Sequence, residues 1–198
     1  MRSQPFYYDE NDPPAKRRIV EESLRLFAER GLSATSIRDI ADAAGYTNPA
    51  LYKHFKTKEA LALMLFERSY KELFARIAEA LKGQRGFEER FCAFLKAFAD
   101  FYDAYPDALV FAFDNLSTLW PQVSGTISKK TIITLTRELL QQGRREGIVA
   151  TDADLSLQIT LVIGMVGQLT RQLYLGTLKG PAAKYVTKTE RILRAGLS

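Results

Sequence analysis

Residues 44–61 read AGYTNPALYKHFKTKEAL, and this stretch decides the fold. It gathers a glycine, a proline, two tyrosines, the only histidine and three lysines into one short segment of a chain otherwise rich in apolar helical patterns. Just upstream, Ser36 and Asp39 have the spacing of a capping box, and Ile37, Ile40, Ala41 and Ala44 give a short helix one buried face up to the break at Gly45. Beyond the break Thr47 can cap another short helix, Pro49 is tolerated in its first turn, and Leu51 and Phe55, four apart, share a face. A small residue at Ala41 lets two helices cross closely, Gly45 turns the corner, and Leu51 buries the second helix. The pattern predicts a helix-turn-helix. With Leu51 and Phe55 buried, Thr47, Asn48, Ala50, Tyr52 and Lys53 stay outside, and an exposed polar face on so short a helix suits the major groove of DNA.

Phosphate contacts account for the remaining composition. Helix starts present free amides with partial positive charge, and Ser36, Thr47 and Thr57 place hydroxyls at three of them, with Lys56 and Lys58 flanking the last. Tyr52 and His54 add neutral donors for phosphate oxygens, while Lys53 can touch a phosphate or a guanine edge. Tyr46 stands where such motifs want a core residue, so burial is expected there.

Upstream, Asp12-Pro13-Pro14 followed by Ile19, Val20, Leu24 and Phe27 predicts a capped first helix that stops at Gly31. Thr57 opens a long fourth helix reaching about Lys82. Further helices are expected at about 87–105, 106–119, 122–146, 152–175 and 182–197, divided by Pro106, Pro121, Gly147 and Gly180-Pro181. The reading is all-α, about nine helices: an N-terminal arm over 1–12 without fixed structure, a DNA-binding domain over 13–57, and a helical bundle over 58–198. Hydrophobic residues make up 46% and charged residues 26%, the balance of a chain that folds. The span 155–175 is interrupted by Gln158, Gln168, Arg171 and Gln172, so it does not read as a membrane span, and the opening residues lack the apolar stretch of a signal peptide; a cytoplasmic protein is expected. Cys92 is the single cysteine, which excludes an intrachain disulfide and a cysteine metal cluster; among Phe91, Ala93 and Phe94 it reads as a buried thiol. The net charge of +5 permits an anionic partner.

The segments RRIVEESLRLFAERG and TSIRDIADAAGYTNPALYKHFKTKEAL together resemble the DNA-binding region of the TetR (tetracycline repressor) family of bacterial transcription regulators. The resemblance rests on Thr35, Ile40, Ala41, Ala44-Gly45, Leu51-Tyr52, His54-Phe55 and Lys58-Glu59, and covers about residues 14–62; the rest of the chain matches in layout alone. It implies a following domain for ligand binding and dimerisation. It implies phosphate contacts for Ser36, Thr47, Tyr52, His54 and Lys58, and base-facing positions for Asn48, Pro49, Ala50 and Lys53. The pair Asn48-Pro49 departs from the small flexible residue of many relatives, so the base contact there is expected to be apolar.

In the eighth expected helix Leu155, Ile159, Val162, Val166, Leu169 and Leu173 follow at intervals of 4, 3, 4, 3 and 4, a seam that with Ile192 and Leu193 predicts a four-helix interface between two chains. Leu157, Leu161, Ile163 and Leu175 form a second apolar side of the same helix. In the fifth helix Phe87, Phe91, Phe94, Phe98, Phe101 and Tyr105 repeat that spacing as a ring stripe. Phe74, Phe94, Phe98, Phe101, Phe111, Phe113 and Trp120 are candidate walls of an apolar ligand pocket, with Asn115 and Gln168 among its polar anchors; plain core is the competing reading. With one histidine in the chain, neither a Glu-x-x-His ligand pair in the bundle nor a Ser-His-Asp arrangement can form there, so no enzyme, metal or cofactor is expected. The expectation is a homodimeric regulator, a repressor on a palindromic operator released by a small apolar effector. The alternatives are a regulator with no effector, one that requires its ligand to bind DNA and, more remotely, a helical-bundle enzyme.

Overall fold

The computed structural model describes residues 5–123 and 131–198, and among them every regular element is a helix. Ten α-helices follow in order: α1 Pro14–Arg30, α2 Ile37–Ala44, α3 Asn48–Tyr52, α4 Lys58–Ala80, α5 Gly86–Ala104, α6 Pro106–Asp114, α7 Leu116–Leu119, α8 Ile132–Arg145, α9 Leu155–Tyr174 and α10 Val186–Leu197. The helix expected over 106–119 breaks at Asn115, whose side-chain amide donates to the Phe111 carbonyl at 2.9 Å and closes α6. The helix expected over 122–146 is seen from Ile132, behind a capping box of Thr131 and Thr134; residues 124–130 lie outside the described part. The last helix is preceded by a 3₁₀ turn over Ala182–Tyr185, because the Asp103 carboxylate accepts from the amides of Ala182 (2.6 Å) and Ala183 (3.1 Å).

The chain forms two compact units, one of residues 1–72 with 107–124 and one of residues 73–106 with 125–198, so α4 supplies residues to both. In the first unit Ile19, Val20, Leu26 and Phe27 of α1, Ile40 and Ala41 of α2, Leu51 of α3, and Leu61, Leu65 and Phe66 of α4 are all within 1% of full burial. The Phe27 and Phe111 rings stack at 5.6 Å, and Trp120 lies against Tyr70 at 4.8 Å. Residues 5–12, expected as an unstructured arm, instead form turns: the Asp12 amide donates to the Asp9 carbonyl (2.9 Å), Asp9 pairs with Arg68 (3.1 Å), and Arg17 lies over the Tyr8 ring. Asp12 does not cap α1. Its carboxylate accepts from Lys16 and from the Asp9 amide, and Pro13 takes the cap position without a side-chain bond.

The second unit is organised by α5. Phe87, Phe91, Phe94, Phe98 and Phe101 are buried, with Phe87 on Phe91 and Phe94 on Phe98 both at 5.1 Å. Around this stripe pack α8, α9 and α10. Gly143 admits the closest approach: a Cβ there would stand 2.5 Å from a Val149 methyl and 2.8 Å from the Phe87 ring. Cys92 is exposed, not buried, because it leaves α5 away from the ring stripe; partial desolvation of its sulfur and the nearby Glu190 carboxylate raise its thiol pKa.

The α9 seam also differs from its expected role. Ile159, Val162, Val166 and Leu173 face their own chain, where Val166 is 4% exposed, and Leu193 of α10 is buried too. Leu155 and Leu169 are half-buried. The open side of α9 carries Leu157, Leu161, Gly164 and Gln168, beside Ile192 of α10. The reason is α5: its rings offer an apolar partner within the chain, and they take the more continuous of the two α9 faces.

Candidate nucleic-acid interface

The helix-turn-helix geometry begins at α2. Ser36 has extended backbone; its hydroxyl accepts from the Asp39 amide at 3.1 Å, and the Asp39 carboxylate accepts from the Ser36 amide at 2.7 Å. The Ser36 hydroxyl also donates to that carboxylate at 2.5 Å. These bonds from Ser36, the hydroxyl first and the amide second, hold the Asp39 carboxyl below the usual carboxylate range. At the other end Gly45 is left-handed (φ 76°, ψ 30°), and its amide and that of Tyr46 both return to the Ala41 carbonyl. A Cβ at Gly45 would meet nothing, so the requirement is for the positive φ and not for space.

That reversal sets α3 against α2. Leu51 (0% exposed) and Phe55 (9%) hold one side. On the other, Thr47, Asn48, Pro49, Tyr52 and Lys53 are exposed, with Ala50 and His54 half-buried. Thr47 takes the N-cap position with no side-chain capping bond, which leaves its hydroxyl to a ligand. Tyr46, expected in the core, is 37% exposed, since the turn at Gly45 carries position 46 out of the helix pair.

A surface cleft beside α3 is lined by Ser36, Ile37, Tyr52, Lys56, Thr57, Lys58 and Glu59. Of the residues singled out for phosphate, Ser36, Tyr52 and Lys58 meet there, while Thr47 and His54 are not part of its lining. Thr57 accepts from the Ala60 amide at 3.0 Å and so caps α4 at the cleft wall. Lys56, Ile37 and Glu59 join the lining; the Lys56-Thr57-Lys58 run is the sequence signal for the first of them. Two of these expected phosphate ligands, Ser36 and Lys58, also have partners within the chain. The Ser36 hydroxyl is already engaged in the cap, and the Lys58 ammonium donates to the carbonyls of Leu32 and Thr35, both at 2.9 Å. What the cleft offers an anion is the open first turn of α2, Lys56 and the Tyr52 hydroxyl.

The candidate effector residues divide between the units. Phe111, Phe113, Asn115 and Trp120 belong to the first; Phe74, Phe94, Phe98, Phe101 and Gln168 belong to the second. Gln168 sits on the exposed side of α9, away from the rings, so it is no interior anchor. A cavity of about 20 Å³ beside Phe98, Val166 and Thr170 has room for one water and not for an effector. Among the described residues no group of three or more His, Cys, Asp or Glu side chains is placed to hold a metal ion, and no helix is long and apolar enough to cross a membrane.

A glycine-turned helix pair with a polar, exposed second helix beside a lysine-lined cleft is the geometry of a helix-turn-helix DNA-binding protein. The family model for bacterial regulatory proteins of the tetR family matches residues 19–65. The chain is 30% identical over 143 residues to the HTH-type transcriptional repressor KstR2 of Rhodococcus jostii, a match covering 70% of each chain. It is 31% identical over 106 residues to the HTH-type transcriptional activator FasR of Mycolicibacterium smegmatis, covering 54% of this chain and about half, 48%, of that one. The solved structure of the ketosteroid transcriptional regulator KstR2 of Mycobacterium tuberculosis superposes with a TM-score of 0.81 at 26% identity, over 96% of this chain and 97% of that one. The protein belongs to the TetR family of bacterial transcription regulators, which are not enzymes.

Proposed function

We propose that this protein is a homodimeric repressor that binds a palindromic DNA operator and is released by a small, largely apolar effector. The observation that carries the reading is the outer side of α3, where Asn48, Pro49 and Lys53 are exposed and Ala50 is half-buried, beside the cleft lined by Ser36, Tyr52, Lys56 and Lys58; in this reading the α3 residues face base edges and the cleft takes phosphates. One such head reads one half-site, so specific binding calls for two heads about 34–36 Å apart or a multiple of that. The open side of α9, with Leu157, Leu161 and Gly164, supports the second copy's place, together with Ile192 of α10. Gly196 of α10 adds to this: a Cβ there would stand 2.9 Å from a Leu161 methyl, so the two helices approach closely enough to present one joint face.

Residues 13–57 form the DNA-binding domain in this reading, and 58–198 the ligand-binding and dimerisation domain. The buried ring stripe of α5 supports an apolar effector, and the similarity to KstR2, named a ketosteroid regulator, favours a compound of that apolar character. Coupling runs through α4, a single helix of 23 residues that starts at the cleft. To turn a 1:99 mixture of DNA-competent states into 99:1, the effector must prefer one state about 10⁴-fold, or about 5.5 kcal/mol.

The test is selection of duplexes from a random pool by purified protein, followed by titration of the complex with steroid ketones and long-chain acyl compounds. Enrichment of a palindrome and its release by a compound that binds the protein is the expected result. Compounds that bind yet leave DNA affinity within twofold would remove the effector from the reading. In a second reading the ligand is required for DNA binding, and the same titration gives it the opposite sign.

A further inference from the structure

The geometry points to Lys58 as a positioning residue for DNA binding, whose contribution to affinity is geometric and not ionic. This rests on the DNA-binding reading above and deepens it. A lysine at the first position of a helix sits against the positive end of the helix dipole, an unfavourable place for a cation unless something nearby offsets it. Here two backbone carbonyls do. An ammonium has three protons to donate, and two of those on Lys58 go to the oxygens of Leu32 and Thr35 at 2.9 Å each. Leu32 follows the turn that ends α1, and Thr35 precedes Ser36, the cap of α2.

The segment is closed from its other side as well. Thr35 is 1% exposed, and its hydroxyl donates to the Gly31 carbonyl at 2.9 Å, while the Gly31 amide donates to the Phe27 carbonyl at 3.1 Å. One side chain therefore joins the start of α4, capped by Thr57, to the residue before the start of α2. Ser36 and Ile37 of α2 and Thr57 and Glu59 at the start of α4 line the same cleft. Two helix N-termini can grip one phosphate backbone only if the distance between them is held, and Lys58 holds it. The sequence places a cation beside a helix start, which resembles a phosphate ligand; only its carbonyl partners reveal that two of its three donors are taken.

The experiment compares wild type with Lys58→Met, which keeps the length without donors, and Lys58→Gln, which keeps two N–H donors without charge. Affinity for a palindromic duplex selected by the wild-type protein is measured across salt concentrations, at a temperature where circular dichroism shows all three folded. Amide exchange at residues 33–39 is read on the free proteins. The expected result for Lys58→Met is about a tenfold loss at every salt concentration, a slope of log K against log salt unchanged within about 0.3, and faster exchange over 33–39. Lys58→Gln is expected to recover most of that affinity, and it carries the comparison should the methionine variant fail to fold. A slope smaller by about 0.9, the signature of one lost phosphate charge, overturns the inference. So does unchanged exchange, or an equal loss in both variants, or no loss of affinity in either. If the wild-type protein enriches no duplex, the DNA reading falls and the positioning role falls with it, while the exchange data still report whether Lys58 fastens the loop.

Discussion

Aspartate placed at two positions of α9, five residues apart, should have opposite consequences. Leu161 is 39% exposed on the isolated chain and lies next to Leu157 (69%) and Ile192 (54%). In a single chain a carboxylate there stays hydrated, so Leu161→Asp should alter the stability of the monomer by no more than about 0.5–1 kcal/mol. In the proposed dimer the same carboxylate is desolvated against an apolar surface. Losing the leucine and burying the charge costs about 2 kcal/mol or more per chain, counted twice at a two-fold interface, for a total near 4 kcal/mol and about 10³-fold weaker association. Val166, by contrast, is 4% exposed and borders the cavity of about 20 Å³ beside Phe98, too small to hydrate a carboxylate. Val166→Asp should therefore cost about 3 kcal/mol or more out of a total stability of about 5–15 kcal/mol and lower the thermal midpoint markedly. Sedimentation velocity with circular dichroism separates the outcomes: Leu161→Asp monomeric and helical, Val166→Asp destabilised. A Leu161→Asp protein that sediments as a dimer at nanomolar concentration, or a stable monomeric Val166→Asp, would refute the assignment of the two α9 faces.

Lys53→Ala should relax preference at one base pair of the selected duplex by about 1–3 kcal/mol, whereas Tyr52→Phe should weaken all duplexes alike; a base-substitution panel checks both, and identical profiles would contradict the separation of base and phosphate contacts. The Asp39 carboxyl is held below its ordinary value by Ser36, so its stabilising contribution is present in full above the unfolded carboxylate value of about 3.9 and is lost as pH falls through the lower folded value. The difference in thermal midpoint between wild type and Asp39→Asn should accordingly shrink below about pH 4, and a difference constant from pH 7 to pH 2 would exclude this linkage. Gly143→Ala puts a Cβ 2.5 Å from Val149 and 2.8 Å from Phe87, an overpacking of about 1–3 kcal/mol in the second unit. Differential scanning calorimetry should register a fall of about 2–4 °C for each kcal/mol; an unchanged midpoint would mean that the α5 and α8 packing yields freely.

Relations between residues close together along the chain are legible from the sequence. The left-handed turn after α2 was legible because only a residue without a Cβ adopts φ 76° at no steric cost, and Gly45 stands one residue past the last apolar position of the helix. The capping box of Ser36 and Asp39 and the phenylalanine stripe of α5 were legible for the same reason: each is a relation between residues three or four apart, within reach of one helix turn. The tertiary structure alone decided the relations between distant residues. Two apolar seams run along α9 with similar helical spacing, and periodicity cannot say which of them faces the rings of α5 and which stays open, because interior and interface are equally apolar. Lys58 meets the carbonyls of Leu32 and Thr35, 26 and 23 residues away, and backbone oxygens leave no trace in a side-chain pattern. Charge next to a helix start is written in the sequence; whether that charge is already satisfied depends on which loop the fold lays beside it.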